Sequence, residues 1–279
     1  MQIRRTAEGI CLTGDDLPDL EQTFECGQCF RWQKQENGEF TGIVRDRFCR
    51  ISQEKSGRKL LFHNVSEEEF DSLWRGYFDL DLDYGAVLRE LSSLHPVLAQ
   101  AAEFAGGIRI LRQDPWEALC SFILSQNNNI SRIRGIIDRL CGCFGEKVPG
   151  GSAFPGPEVL SRLTEEDLEP LRCGFRAKYL CSASQMVASG KVDLREVALL
   201  PLQEAREQLM TISGVGTKVA ECALLYGFHR LECFPMDVWM KRVMAKLFPG
   251  KDGSFFGEYA GIAQQVLFHY GRMHSEILN

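Results

Sequence analysis

The period of apolar and polar positions changes once along the chain. Up to about residue 65 the short β-prone runs FECGQCFRWQ, FTGIVRDRFCRISQ and KLLFHNV are separated by Asn-Gly and Ser-Gly turn signals, and several alternate apolar with polar residues. That alternation predicts a small twisted antiparallel sheet with one buried face. At Ser66 the stretch SEEEF supplies an N-cap and an acidic first turn, and from there the period is helical to the C-terminus. Trp116, Leu119, Cys120, Ile123 and Leu124 follow an i, i+3, i+4, i+7, i+8 spacing, which Met240, Val243, Met244, Leu247 and Phe248 repeat. Core packing is a sufficient explanation of both stripes. VPGGSAFPGP at 148–157 concentrates Pro and Gly and predicts an exposed loop between helices. The fold class is therefore α+β, with an N-terminal antiparallel sheet domain with flanking helices over 1–111 and a larger all-helical domain over 112–279.

Composition narrows the class. The chain has 279 residues, 44% hydrophobic and 25% charged, which excludes a disordered, collagen-like or coiled-coil protein and leaves room for two domains. No window approaches the roughly 18 apolar residues of a membrane span. The first twenty residues carry a basic pair without a signal-peptide apolar run, so a cytoplasmic location is expected, with no membrane partner. Eleven cysteines at irregular spacing point to free thiols. Cys26 and Cys29 form a C-x-x-C, half of a zinc or redox site, but no second pair completes four ligands, and no metal is expected. His269 and His274 stand near the terminus without partners and read as solvated surface histidines. The net charge of −6 counts against nucleic acid as a partner, though a sum cannot register a local patch.

The segment 209–248 carries the chemistry. Leu209 to Ile212 closes one helix, Gly214-Val215-Gly216 makes a tight turn where positive φ is cheap, and Thr217 opens the next helix. The N–H groups of Gly214, Gly216 and the turn that follows lie along a positive helix dipole, an anion site suited to one DNA phosphate. Because backbone amides supply it, an acidic protein can still hold DNA there. A helix corner with glycines for close packing is the plain alternative. Lys218 sits in the first turn of the second helix, where the dipole disfavours an ammonium ion, and a neutral lysine is a nucleophile able to form a Schiff base. An ordinary lysine is a solvated surface charge. Nineteen residues on, Asp237 precedes the apolar helix Val238 to Phe248 as a natural N-cap, which alone explains an Asp. A hairpin that folds back nevertheless brings both helix-start residues to one cleft, the pairing needed to displace a sugar-bound base.

GVGTK followed by PMDVW resembles the helix-hairpin-helix DNA glycosylases, with their Gly/Pro-rich loop and aspartate. Within that superfamily the chain resembles the 8-oxoguanine DNA glycosylases, on CGQCFRW at 26–32, SFILSQNNNISRI at 121–133, LRCGFRAKYL at 171–180 and YAGIAQQVLFHY at 259–270. The resemblance implies a helix-hairpin-helix glycosylase fold for the second domain and a bifunctional base-excision repair enzyme. Lys218 would attack C1′ and release the base, leaving a Schiff base, Asp237 would steady the developing positive charge, and β-elimination would nick the strand. It also implies that the enzyme flips 8-oxoguanine out of duplex DNA and reads it with Gly27, Cys222, Gln264 and Phe268. Gln264 and Phe268 are i, i+4 on one helix, offering an amide for the base edge and a ring for its face; an ordinary helix with a core Phe and a surface Gln is the plain alternative. Gly27, in a strand context, matches the position whose carbonyl distinguishes the lesion's N7–H from the bare N7 of guanine.

Asn127 and Arg132, with Arg176, match the contacts to the cytosine left unpaired, so cytosine opposite the lesion is the expected preference. Asn128 would fill the space left in the helix, and Phe175 would wedge into the stack. Trp239 stands where relatives generally place a histidine, and is read as a stacking or packing residue with no catalytic role. Only Cys233 lies beyond Cys222, which excludes a four-cysteine iron-sulfur cluster. No organic or redox cofactor is required, and a monovalent cation is expected at the hairpin carbonyls of 212–217, as in relatives. The partner is duplex DNA containing 8-oxoguanine, acted on by a monomer that would be nucleoid-associated in a bacterium. Two rivals remain: an alkylated-purine glycosylase, which would need neither Lys218 nor the Gly27, Gln264 and Phe268 set, and a noncatalytic hairpin module that only binds DNA.

Overall fold

The computed structural model describes residues 1–274; Ser275–Asn279, the end of the second predicted domain, lie outside the described residues. Six strands form one antiparallel sheet: β1 (Gln2–Thr6), β2 (Gly9–Thr13), β3 (Trp32–Lys34), β4 (Phe40–Val44), β5 (Arg47–Gln53) and β6 (Lys59–His63), in the order β1-β2-β6-β5-β4-β3. Ile10 pairs with Phe62 and Leu12 with Leu60, so the alternation puts these side chains on one buried face. Phe24, Trp32, Trp74 and Phe78 close that core, with the Phe24 and Trp32 rings stacked 4.3 Å apart.

FECGQCFRWQ departs from its β reading. Its first two residues end a short helix, α1 (Leu20–Glu25), whose N-cap Asp19 accepts from Gln22 N–H, and only Trp32–Lys34 is strand. Leu20, Thr23 and Phe24 make a helical i, i+3, i+4 stripe onto the sheet, and this outweighs the β propensity downstream. Gly27 accordingly lies in a bend and not in a strand, at φ +86°. Ser66 caps as expected, accepting from Glu69 N–H at 3.1 Å.

The longer helices that follow are α2 (Tyr84–Leu94), α3 (Pro96–Ala105), α4 (Pro115–Leu124), α5 (Ile130–Phe144), α6 (Arg176–Ala188), α7 (Leu202–Met210), α8 (Thr217–Gly227), α9 (Val238–Leu247) and α10 (Ala260–Met273). Helices α2 and α3 precede residue 111, yet their buried side chains join the helical core and not the sheet's. Helix α4 is the centre of that core, buried from Ala118 to Leu124 and packed along α8.

Residues 148–157 are less exposed than their Pro and Gly content predicts. Lys147–Val148 and Gly151–Ser152 pair as a two-stranded hairpin wedged between the domains. Arg31 from the sheet domain donates to the Ser152 carbonyl and pairs with Glu117 of α4 at 3.3 Å, and the Trp116 indole donates to the Pro155 carbonyl at 2.9 Å. Glycine supplies the turn, but tertiary hydrogen bonds decide where it lies.

The eleven cysteines are free, and all but Cys143 are buried. Burial pushes the Cys26 and Cys141 thiols up to about 12. His269 and His274 depart from the solvated reading: both pack around Phe104, with ring centroids 5.8 and 4.8 Å away. Burial holds His63, His229 and His269 below the usual histidine value of 6.5. Each imidazole is thus favoured neutral in the fold, while the unfolded chain takes up its proton near 6.5, so the unfolded state binds more protons between the two values. The stability this represents is complete above the unfolded value and is lost as pH falls toward the folded ones. Melting temperature is therefore expected to fall between pH 7.5 and 5.5, and less steeply in a His229→Gln variant; an unchanged slope in that variant removes His229 as a source.

Candidate active site

The helical hairpin is built by α7, the turn at 211–216 and α8. Val215 N–H donates to the Ile212 carbonyl at 3.0 Å, and Gly214 sits at φ +82° with its missing side chain filled by Tyr179, whose ring a Cβ would meet at 2.3 Å. Gly216 does not share that backbone. It is extended, with open space where a side chain would be, and it caps α8 with no side-chain bond, leaving the first-turn N–H groups open to an incoming anion.

Lys218 follows one residue into α8 and is half-buried. Its Nζ reaches Ser125 Oγ at 3.3 Å and stands 5.2 Å from the Phe122 ring centroid. The Cys222 thiol lies one helical turn on. That thiol is 3% exposed. Burial pushes it up to about 11, and Lys218 pulls it part of the way back. Cys222 is therefore a neutral, polarisable wall at physiological pH. Asp237 caps α9, with Oδ1 accepting from Met240 N–H at 2.7 Å, and its charge too is felt at Cys222. The charges of the lysine and the aspartate, nineteen residues apart, thus act on that thiol in opposite directions.

Gln264 and Phe268 lie one turn apart on α10. Gln264 is 5% exposed, and its Oε1 is buried without a hydrogen-bond partner, a costly state for an amide unless a ligand completes it. It is no surface glutamine. The bend at Gly27 packs against the same helix: a Cβ there would lie 3.4 Å from Ile130 and 4.0 Å from the Phe268 ring. A residue with no side chain and a buried amide in want of a partner thus flank one aromatic face.

The α4–α5 junction holds the asparagines. Asn128 donates to the Leu124 carbonyl at 3.1 Å, and Asn129 caps α5 by accepting from Arg132 N–H at 2.9 Å, so two of the three amides stabilise helix ends. Asn127 is exposed at φ +47°, and Arg132 is exposed beside it. Phe175, 48% exposed, stands at the start of α6 with the Arg176 guanidinium 4.5 Å from its ring. Arg176, matched above to a cytosine contact, braces the protein's own backbone in this structure. It is 3% exposed and donates to the carbonyls of Cys173, Gln126 and Asn127, holding the asparagine loop in shape. A guanidinium's five donors suit three converging carbonyls, a choice invisible in the local sequence.

Trp239 packs α9 onto α10 beside Gly271, with its indole N–H buried and without a partner. Ser125, which touches Lys218, was not singled out by the sequence; its only signal is a hydroxyl directly after the apolar stripe of α4. Among the described residues no three His, Cys, Asp or Glu side chains gather as metal ligands would, and no helix is long and apolar enough to cross a membrane.

A hairpin delivering a lysine, followed by a helix capped by aspartate, defines the class of helix-hairpin-helix base-excision DNA repair proteins, whose family model matches residues 120–254. Residues 13–119 match the N-terminal domain of 8-oxoguanine DNA glycosylase. A structure of MBOgg1 in complex with a low-affinity DNA ligand is 41% identical and superposes with a TM-score of 0.91, covering 99% of this chain and 100% of that one. The Clostridium acetobutylicum 8-oxoguanine glycosylase/lyase, in complex with DNA containing cytosine opposite 8-oxoguanine, is 36% identical, with a TM-score of 0.91 over 99% of each chain. The Arabidopsis thaliana N-glycosylase/DNA lyase OGG1 is 29% identical over 89% of this chain and 76% of its own length. The chain belongs to the 8-oxoguanine DNA glycosylase family.

Proposed function

We propose that the protein flips 8-oxoguanine out of duplex DNA, excises it through a covalent lysine intermediate and then nicks the strand, with cytosine preferred opposite. The observation that carries this reading is the half-buried Lys218 in the first turn of α8, one turn before the buried Cys222; the unpartnered Gln264 Oε1 on α10, which also bears the Phe268 ring beside Gly27, supports it. The Lys218 amine forms a bond to C1′ as the bond from C1′ to the base breaks and its electron pair leaves with the base. Asp237 stabilises the positive charge that develops on the sugar as the base departs. Loss of the amine proton and opening of the sugar ring give the imine. Removal of a C2′ proton then expels the 3′ phosphate, which is the nick.

The pocket sorts its ligand by complementary groups. Gln264 Oε1 accepts from the base edge, Phe268 and Cys222 cover its two faces, and the Gly27 carbonyl accepts from the N7–H that guanine lacks. Asn127 and Arg132, both exposed, supply polar contacts to the cytosine left behind, and Phe175 fills the gap in the stack. The open amides of Gly214, Gly216 and the first turn of α8 hold a phosphate, and the carbonyls of 212–217 are the groups that would hold a monovalent cation. The enzyme works as a monomer on DNA in the cytoplasm or nucleoid.

Borohydride reduction tests the whole reading. A duplex with one 8-oxoguanine opposite cytosine is expected to give a covalent protein–DNA band, and a guanine duplex none. Base release with no band moves the protein to the water-using glycosylases, and an alkylated purine excised in preference to 8-oxoguanine overturns the substrate.

A further inference from the structure

Gly27 is held on both sides and left untouched itself. The carbonyl of Cys26 accepts from Gln265 Nε2 at 3.0 Å, and the carbonyl of Gln28 accepts from Gln113 Nε2 at 2.7 Å. The side chain of Gln28, fully buried, donates to the Thr23 and Arg109 carbonyls at 2.9 and 2.8 Å and accepts from Leu111 N–H at 2.9 Å. Among the described residues the Gly27 carbonyl has no hydrogen-bond partner.

Both outer contacts lead back to one residue. A carbonyl can only accept, so Gln265 must turn Nε2 to Cys26, which points its Oε1 at the Tyr226 hydroxyl, and that hydroxyl donates to it. Burial keeps Tyr226 protonated, far above the usual tyrosine range. The Tyr226 main-chain carbonyl accepts from Gln113 N–H at 2.9 Å, while the Gln113 side chain holds Gln28. The chain of bonds is therefore closed: from the Tyr226 hydroxyl through Gln265 to Cys26, across Gly27 to Gln28, and through Gln113 to the Tyr226 carbonyl. Tyr226 lies on α8, one turn after Cys222 and two after Lys218, and its ring stacks on Phe122, beside which Lys218 stands.

Buried amides that merely satisfy one another need not meet at one place. Here Gln28, Gln113 and Gln265 are all at or below 8% exposure, and with Tyr226 they fix the two residues on either side of a single glycine at positive φ. Desolvating so many polar groups costs more than apolar packing would, which is reasonable where position matters more than stability. We infer that Tyr226, Gln265, Gln113 and Gln28 are positioning residues for base discrimination, fixing the Gly27 peptide relative to the helix that carries the nucleophile. This rests on the proposed role of the Gly27 carbonyl at N7. A carbonyl attracts a donor and repels an acceptor only while its distance is held, so a loosened frame weakens discrimination before it weakens the lysine chemistry.

The test separates two activities of one protein. Strand cleavage at a preformed abasic site uses Lys218 but has no base to read, whereas excision of 8-oxoguanine needs both. In Tyr226→Phe and Gln265→Met, single-turnover excision is expected to fall on the order of tenfold, with abasic-site cleavage kept within about twofold, as for a contact misplaced by a fraction of an ångström. Gln265→Glu, assayed at a pH where the carboxylate is ionised and cannot donate to Cys26, is expected to match Gln265→Met in spite of its shape. Equal loss of both activities, or no loss of excision, overturns the inference. Tyr226→Phe removes one oxygen, so it carries the test if the Gln265 variants fold poorly. A wild-type protein that excises guanine as fast as 8-oxoguanine overturns the proposed substrate reading itself, and this inference with it.

Discussion

Lys218→Gln is expected to abolish the covalent intermediate and slow base excision by at least about a thousandfold, the scale of removing a nucleophile. Glutamine is close to lysine in length and helix propensity, and its amide can still bond to Ser125 Oγ, so α8 is not disturbed. The hairpin amides proposed to hold the phosphate belong to the backbone and survive the substitution. DNA binding should therefore persist while chemistry stops, which is the pattern that distinguishes a nucleophile from a DNA contact. Borohydride trapping, single-turnover excision and a binding titration on the same variant check it. Near wild-type excision by the variant would make water the nucleophile, and loss of binding along with excision would return Lys218 to a structural role.

Asp237→Asn is expected to cut excision on the order of a hundredfold or more, because a charge that stabilises a developing cation in a water-poor site has no neutral substitute. Its value as a test comes from the cap. Asn and Asp are comparable N-caps, and an Asn oxygen can still accept from Met240 N–H, so stability should change by only about 0.5 kcal/mol. Thermal unfolding and excision measured side by side separate the two roles. A large loss of stability with a proportionate loss of activity would reduce Asp237 to a cap.

The parts legible in the sequence are those whose chemistry is local. The hairpin glycines, Lys218 and the cap at Asp237 lie within two dozen residues, and the spacing of Gln264 and Phe268 fixes their common face by helix geometry alone. What could not be read depends on partners far along the chain. Gln265 meets Cys26 across 239 residues, and the identity of a glutamine gives no hint of which carbonyl it will find. Arg176 reads equally well as a DNA contact or a loop brace until the carbonyls of Gln126 and Asn127 turn toward it. The Pro/Gly stretch at 148–157 signals a turn, but Arg31 and Trp116, which dock it, are not its neighbours in sequence. The rings around Phe104 are hidden for the same reason, since α3 and α10 meet only in the fold.

The burial of the cysteines has a consequence for the conditions in which such an enzyme works. Oxidants that convert guanine to 8-oxoguanine also attack sulfur, and the species they attack is the thiolate, with sulfenic acid as the first product. Ten of the eleven cysteines are buried, and where burial has raised the thiol it holds the sulfur in its unreactive protonated form. Only Cys143 stands exposed to peroxide. Of the cysteine sulfurs, Cys222 is thus shielded both by burial and by a raised thiol pKa, while Cys143 is the one an oxidant meets first.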